Sequence, residues 1–381
     1  MKTNIKLTAL SATLAALVLN FSLPAAQAAE TRETKQPLVQ IAILLDTSGS
    51  MSGLIEQAKG QLWKVANEFI SARQGGQKPE VQVALYEYGK SSLSRESGWI
   101  RQIVPLSTDL DKISEELFAI KTDGGEEYCG WVIKDAVEKL PWSAAPDVYK
   151  AIFVAGNEPF TQGPVNYADS CKAAIAKGII VNTIHCGDQA TGIATKWQDG
   201  ALLADGKFMM IDHNRAVVHF EAPQDKEIAQ LGVELNKTYV AFGTAGKESQ
   251  MRQERQDANA MAMAPAGASY NRALAKASAN YRNSNWDLVD ALKDANFKLA
   301  EVKAEELPAE MQKMNEAERK AFVESKAKER AELQTKINRL NEQRNKYVAE
   351  QRKKQAGTNT LDSVMTATIR EQAQKRNYRF E

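Results

Sequence analysis

The feature that most constrains this chain is an apolar run that ends in a knot of oxygen-bearing side chains. Val39, Ile41, Ala42, Ile43, Leu44 and Leu45 lead without interruption into Asp46-Thr47-Ser48-Gly49-Ser50-Met51. A short, continuous apolar run bounded by turn residues is the pattern of a strand covered on both faces, as in a parallel sheet. Directly beyond it, Leu54, Ala58, Leu62, Val65, Ala66 and Phe69 recur at helical spacing, so a helix is expected soon after Ser50.

The same alternation continues. Further strands are expected over 81–88, 151–155, 179–185 and 207–211, and helices over 110–120, 130–139, 167–177 and 226–236. Strands alternating with amphipathic helices predict an α/β fold: a doubly wound, mostly parallel sheet with helices on both faces. This domain is placed over 37–245. The stretch 246–284 is rich in Ala, Gln, Met and Asn with few large apolar residues, and reads as a linker or a weakly held helix. An α-helical region over 285–355 follows, helical over 286–299, interrupted at Pro308, and dense in Lys, Arg, Glu and Ala beyond 316. Leu333, Ile337, Leu340 and Tyr347 fit a heptad seam with Arg344 in the vacant core slot, which suits an intermolecular coiled coil, a solvated helix or a helical hairpin folded on the main domain. Residues 356–381 are read as a C-terminal tail.

At the other end, Lys2 and Lys6 precede an apolar segment over 7–23, and Ala26-Gln27-Ala28 supplies a small-x-small cleavage pattern. Residues 1–28 are therefore expected to be a signal peptide, with the mature chain starting at Ala29; a membrane anchor is the competing reading. No cysteine follows the cleavage pattern, so a lipoprotein is not expected, and the location implied is periplasmic or secreted. The formal net charge of +1 carries no basic excess that would point to a nucleic-acid partner. In an oxidising compartment, Cys129, Cys171 and Cys186 predict one disulfide and one leftover thiol, with Cys129–Cys186 slightly preferred.

The oxygen-rich turn carries the chemistry. In a doubly wound sheet, ligands gather beyond the carboxyl ends of the strands, where Asp46 sits. The spacing Asp46-x-Ser48-x-Ser50 places one carboxylate and two hydroxyls on a tight turn, a plausible half of a site for a hard divalent cation. The plainer alternative is an N-cap, in which Asp46 or Ser50 only satisfies helix amides. On the same edge, Cys129, His185, Cys186 and Asp188 have the ligand types of a zinc site, but their spacing matches no recurring zinc pattern. His213 and His219 are read as structural or exposed. Trp63, Trp131 and Trp197 stand in helical contexts that favour packing, and the loop "GNEPFTQGP" is a partner-contact segment or a rigid spacer.

On these residues the chain resembles the von Willebrand factor A family over about residues 37 to 243. Asp46-Thr47-Ser48-Gly49-Ser50-Met51 is similar to that family's metal-ion-dependent adhesion site, and "VQVALYEYG", "LSTDLDKISEELFAI", "TDGGEE" and "AIFVAGN" follow its layout. The resemblance implies Mg²⁺ or Mn²⁺ at the upper edge of the sheet, its open coordination position completed by an acidic side chain of a protein partner. It implies binding without turnover, so no enzyme is expected. Two departures stand out. Gly124-Gly125 is followed by Glu126-Glu127 where the family commonly has threonine, and Glu126 is taken as the replacement, with Thr122 or Asp123 as near alternatives. Ala155-Gly156-Asn157-Glu158 lacks the family's aspartate at Gly156, and Asn157 or Glu158 is taken as the substitute. The expected metal set is thus Asp46, Ser48, Ser50, Glu126 and Asn157. The rival roles are an envelope scaffold that self-associates through the C-terminal helices, and a metal-dependent hydrolase.

Overall fold

A computed structural model describes residues 36–211, 220–263, 267–354 and 361–380. The signal peptide expected over 1–28, His213 and His219 lie outside the described residues. The strands are β1 (Leu38–Asp46), β2 (Ala72–Arg73), β3 (Glu80–Tyr88), β4 (Ile100–Ser107), β5 (Tyr149–Gly156), β6 (Ile180–Cys186), β7 (Phe208–Ile211) and β8 (Arg379–Phe380). Six of them form one sheet in the order β4-β3-β1-β5-β6-β7, all neighbours parallel except β3 with β4. The apolar run of the sequence is its central strand.

The described helices are α1 (Ser52–Glu68), α2 (Leu110–Ala119), α3 (Cys129–Lys139), α4 (Tyr167–Ala176), α5 (Gln189–Ala194) and α6 (Trp197–Leu202). They continue with α7 (Asp225–Asn236), α8 (Gly246–Ala262), α9 (Ala268–Lys276), α10 (Leu288–Ala291), α11 (Glu316–Lys354) and α12 (Leu361–Gln374). The pleat of β1 sorts its side chains between two cores. Val39, Ile41 and Leu45 pack with Trp63 and Val65 of α1 and Ile113 of α2, whereas Ala42 and Leu44 pack with Val132 and Ile133 of α3, Cys171 of α4 and Trp197. Each such fully buried Val, Leu or Ile contributes about 1.5–3 kcal/mol.

The expected strands and the helices over the domain are present; β4 is added to the main sheet, and the short β2, α5 and α6 lie between the expected elements. The sequence of β4, IRQIVPLS, leaves Arg101, Gln102 and Pro105 exposed, because it is the antiparallel edge strand, paired on one side only. Several expectations for the second half are corrected. The stretch read as a linker or a weakly held helix, 246–284, holds two packed helices, α8 and α9. The latter is buried almost throughout: Gly232 of α7 lets Ala273 approach so closely that an added Cβ would lie 2.6 Å from the alanine methyl. Its charged residues hide inside because they satisfy one another. Arg272 bonds Asp257 at 2.8 Å and also Asp111, and Lys276 bonds Asp257 at 2.7 Å.

Only Leu288–Ala291 of the helix expected over 286–299 is α-helical. The long helix α11 is present, but its heptad seam faces the chain's own helices. Ile337 and Leu340 lie in a core with α7 and α9, and Arg344 stacks on Tyr270 and pairs with Asp225. The tail over 356–381 is likewise no tail where it is described. Met365, Ile369 and Ala373 of α12, and Tyr378 beyond it, complete the core on the α1 face of the sheet, and β8 pairs with β2.

All three thiols are free and buried, which corrects the disulfide expectation. The sheet explains why Cys129 and Cys186 do not meet: Cys186 packs in the core on the α1 side, Cys129 and Cys171 in the core on the α3 side.

Candidate functional site

The site is built where β1, β3 and β5 end together. Asp46 pairs with Tyr88 in register, and the Thr47 amide donates to the Tyr88 carbonyl at 2.9 Å, which fixes the turn that follows. The loop after α2 is tied to the same turn, since the Asp123 amide donates to the Thr47 carbonyl at 3.0 Å. Three loops therefore converge at the carboxyl edge of the sheet.

Within them, the Ser48 amide donates to Asp46 Oδ1 at 2.8 Å, Ser48 Oγ lies 3.3 Å from Ser50 Oγ, and Asn157 Nδ2 donates to Ser50 Oγ at 3.3 Å. The structure thus brings together Asp46, Ser48 and Ser50, which their spacing placed on one turn, and adds Asn157, one of the two substitutes taken from the resemblance. The capping alternative named Asp46 and Ser50: Asp46 takes the Ser48 amide ahead of the helix, but the N-cap of α1 is Met51, with no side-chain capping bond. Two oxygens of the cluster are buried without a hydrogen-bond partner, Asp46 Oδ2 and Asn157 Oδ1.

Glu126 departs from the expectation. It is exposed, whereas its neighbour Glu127 is buried and faces Asp46. The geometry is set by Gly89, held at φ 77°: a Cβ there would stand 2.8 Å from Glu127 Cγ and 3.0 Å from Asp46 Oδ1. Glu127 is anchored from behind by its own amide, which donates to Gln162 Oε1 at 3.0 Å. Sequence reasoning had two adjacent glutamates after paired glycines and no periodicity to say which one turns inward. Thr122 is half-buried, and Asp123 is exposed, its carboxylate taking the Gly124 amide at 2.8 Å.

The missing aspartate at position 156 has a steric cause. A Cβ on Gly156 would lie 2.6 Å from Tyr88 Oη and 3.0 Å from Asp46 Oδ2, so β5 closes on its neighbours only with glycine. Tyr88, a residue the sequence did not single out, fills that space and donates to the Ala155 carbonyl at 2.9 Å.

The electrostatics follow from burial. Asp46 has no exposed surface, and desolvation pushes its carboxyl up to about 7, the Ser48 bonds offsetting this only in part. Burial likewise raises Glu127 to about 7, reinforced by the charges of Asp46 and Glu158. Two carboxyls crowded in this way repel at neutral pH, and a divalent cation between oxygens of this kind relieves the repulsion. The donor set of carboxylate, hydroxyl and amide oxygens suits a hard cation. The residues fit such an ion.

Cys129, His185, Cys186 and Asp188 do not assemble a zinc site. Among the described residues no three His, Cys, Asp or Glu side chains converge on a metal position. Asp188 is exposed and caps α5 by accepting from the Thr191 amide at 3.0 Å, Cys129 Sγ lies 3.5 Å from Tyr88 Oη, and His185 packs against Trp197. The loop after β5 is rigid, because Phe160 is buried on Trp197 and the Trp197 indole donates to the Glu158 carbonyl at 2.9 Å.

An open, mostly parallel sheet with oxygen donors gathered on the loops beyond its carboxyl edge defines an α/β domain of the doubly wound class, in which that edge is where ligands gather. The chain carries a von Willebrand factor A domain: the model of the von Willebrand factor type A domain family matches residues 40–193. Domains of this family often mediate protein–protein interactions. Similar solved structures include the conserved hypothetical protein BatB from Bacteroides thetaiotaomicron, at 18% identity and a TM-score of 0.35, covering 46% of this chain and 90% of that one. An aerotolerance-related membrane protein from Bacteroides fragilis matches at 17% identity and 0.33, covering 46% and 92%. Proximal thread matrix protein 1 from the mussel byssus, in a form described as having a zinc-occupied MIDAS motif, matches at 13% identity and 0.34, covering 47% and 43%. No curated protein matches the chain. No helix among the described residues is long and apolar enough to cross a membrane.

Proposed function

We propose that this chain is an exported, non-enzymatic binding module that engages a protein partner through a divalent cation held at the carboxyl edge of its sheet. The observation that carries the reading is the buried carboxyl of Asp46, whose Oδ2 has no partner, beside the hydroxyls of Ser48 and Ser50. Asp46 would supply the charge, Ser48 and Ser50 neutral oxygens, Glu127 a second carboxylate, and Asn157 the oxygen that is otherwise orphaned. Bound there, Mg²⁺ or Mn²⁺ would present an open coordination position to an acidic side chain of the partner. Gly89 and Gly156 contribute by letting their loops close on Asp46 without side chains in the way. The apolar N-terminal segment and its cleavage pattern support export.

Calorimetric titration of the protein with MgCl₂ and MnCl₂ tests this reading. Binding heat is expected for the native protein and for Glu126→Gln, is lost in Asp46→Ala, and is weakened in Glu127→Gln, with unchanged circular dichroism throughout. Native-like heat in Asp46→Ala refutes the reading.

A further inference from the structure

Beside the candidate cation site stands a group of aromatic rings that the metal reading does not use. Trp99 and Tyr128 meet edge to face with centroids 5.3 Å apart, and Tyr128 lies parallel to Trp131 at 6.3 Å. The group adjoins the site directly. Gly89, whose position is set against Asp46 and Glu127, donates its amide to the Trp99 carbonyl at 3.1 Å, and Tyr128 follows Glu127 in the chain.

Its geometry is imposed. Trp99 sits at φ 53°, a left-handed conformation uncommon for a bulky side chain. Gly98 lies so close to Trp131 that a Cβ would stand 2.7 Å from Cδ2, and Gly163, at φ 93°, would put one 2.5 Å from Tyr128 Cδ1. One face of each of these two rings is thus covered by glycine backbone, yet all three rings remain half-exposed. None of the Trp99 Nε1, Tyr128 Oη and Trp131 Nε1 groups has a hydrogen-bond partner among the described residues, and none is buried, so these polar edges face water.

Elsewhere the chain covers its aromatic faces with its own cations: Arg272 over Trp63, Arg330 over Tyr239, Arg344 over Tyr270. None of its described cations lies over Trp99, Tyr128 or Trp131. The loops framing these rings carry Glu96, Asp123, Glu126, Glu127 and Glu158 against Lys90, Arg95 and Lys121, and Lys90 is already turned to Glu87 at 3.8 Å. Ring faces attract cations through their quadrupole, and a carboxylate rim adds to that attraction.

We propose that Trp99, Tyr128 and Trp131, with Glu96 and Glu126 on the rim, form a docking surface for a lysine or arginine side chain of the bound protein. This rests on the cation-dependent reading above and adds a chemical requirement to the partner: a basic residue within a few positions of the acidic one. The indole N–H groups and the tyrosine hydroxyl are placed to donate to carbonyls of the same extended segment.

The test uses the full chain in Mg²⁺ buffer against immobilised, end-blocked hexapeptides, each with one Asp and one of Arg, Lys, Leu or Pro placed one to four positions away. Arg and Lys peptides are expected to bind about threefold or more tighter than Leu or Pro peptides, the size of a solvent-exposed cation–π contact, with the difference shrinking at high salt. The preference should vanish in Trp131→Leu, fall in Trp99→Phe, and fall in Glu96→Gln/Glu126→Gln, whose exposed side chains can change without disturbing the core. Equal binding of all four peptide sets, a preference for Leu or Pro, no binding at all, or an unaltered preference in these variants overturns the proposal. A basic preference that persists with chelator and with Asn in place of Asp would sink the metal reading and leave this one standing. Dependence on Asp and Mg²⁺ without any basic preference would do the reverse.

Discussion

Ile369→Ala tests whether the last twenty residues belong to the domain or hang from it. Ile369 lies on α12, is 0% exposed, and shares a core with Val39 and Ile41 of β1 and Phe153 of β5. The substitution removes three carbons, about 2.4 kcal/mol at about 0.8 kcal/mol per buried methylene. The cavity left in a core that also receives Met365 and Ala373 from α12 brings the expected loss to about 2–5 kcal/mol. For a domain of this size each kcal/mol lowers the melting temperature by about 2–4 °C. Urea and thermal unfolding followed by circular dichroism read the change, with Leu202→Ala, at 68% exposure, as the control expected within about 0.5 kcal/mol of the native protein. A second handle is the buried amide network in which Gln372 accepts from Tyr149 Oη at 2.9 Å and donates to Asn182 at 2.7 Å. Gln372→Leu leaves both partners short of a hydrogen bond, at about 1–3 kcal/mol for each buried group. If Ile369→Ala unfolds within about 0.5 kcal/mol of the native protein, α12 does not cover the sheet and the reasoning fails.

Two further outcomes are expected. His185 is 2% exposed, both ring nitrogens lack partners, and burial holds its pKa below 6.5. The unfolded chain therefore binds the extra proton first, and the stability that His185 contributes above pH 6.5 is lost as pH falls through that value toward its folded pKa. His185→Phe should flatten the stability profile over this acid window, by no more than about 1.4 kcal/mol per pH unit; a steepened or unchanged profile rules this out. Gly156→Asp, which restores the carboxylate common in the family, should destabilise the protein by about 1–3 kcal/mol through overpacking against Tyr88 and Asp46. Unchanged melting together with tighter Mg²⁺ binding would show that the loop has room the structure denies it.

The legible half of the protein is the half where burial is one-sided in type. Strands β1, β3, β5 and β6 are apolar on both faces and announced themselves as continuous runs, and α1 to α4 carry a plain apolar stripe between them. Asp46, Ser48 and Ser50 were legible because a local turn brings them together and only neighbouring residues are needed to form it. β4 was hidden because an edge strand reads as polar on its wet side. In α8 and α9 the concealment was chemical: Arg272, Lys276, Gln253 and Asp257 look like surface residues, and they are buried only because Arg272 and Lys276 of α9 meet Asp257 of α8, while Gln253 donates to the Tyr281 hydroxyl and its carbonyl accepts from Arg272.

By itself, then, the amino-acid sequence determined the strands of the central sheet, the helices that alternate with them and the first oxygen-bearing loop, since hydrophobic periodicity and turn chemistry act over a few neighbouring residues. Tertiary structure decided the rest. It chose Glu127 over Glu126 through the close approach of Gly89, excluded a side chain at Gly156 by the position of Tyr88, kept Cys129 and Cys186 on opposite sides of the sheet, and drew residues from 361 onward back against β1. Each of these depends on which distant groups share a volume, and packing at crystal-like density leaves a side chain only the space its neighbours concede.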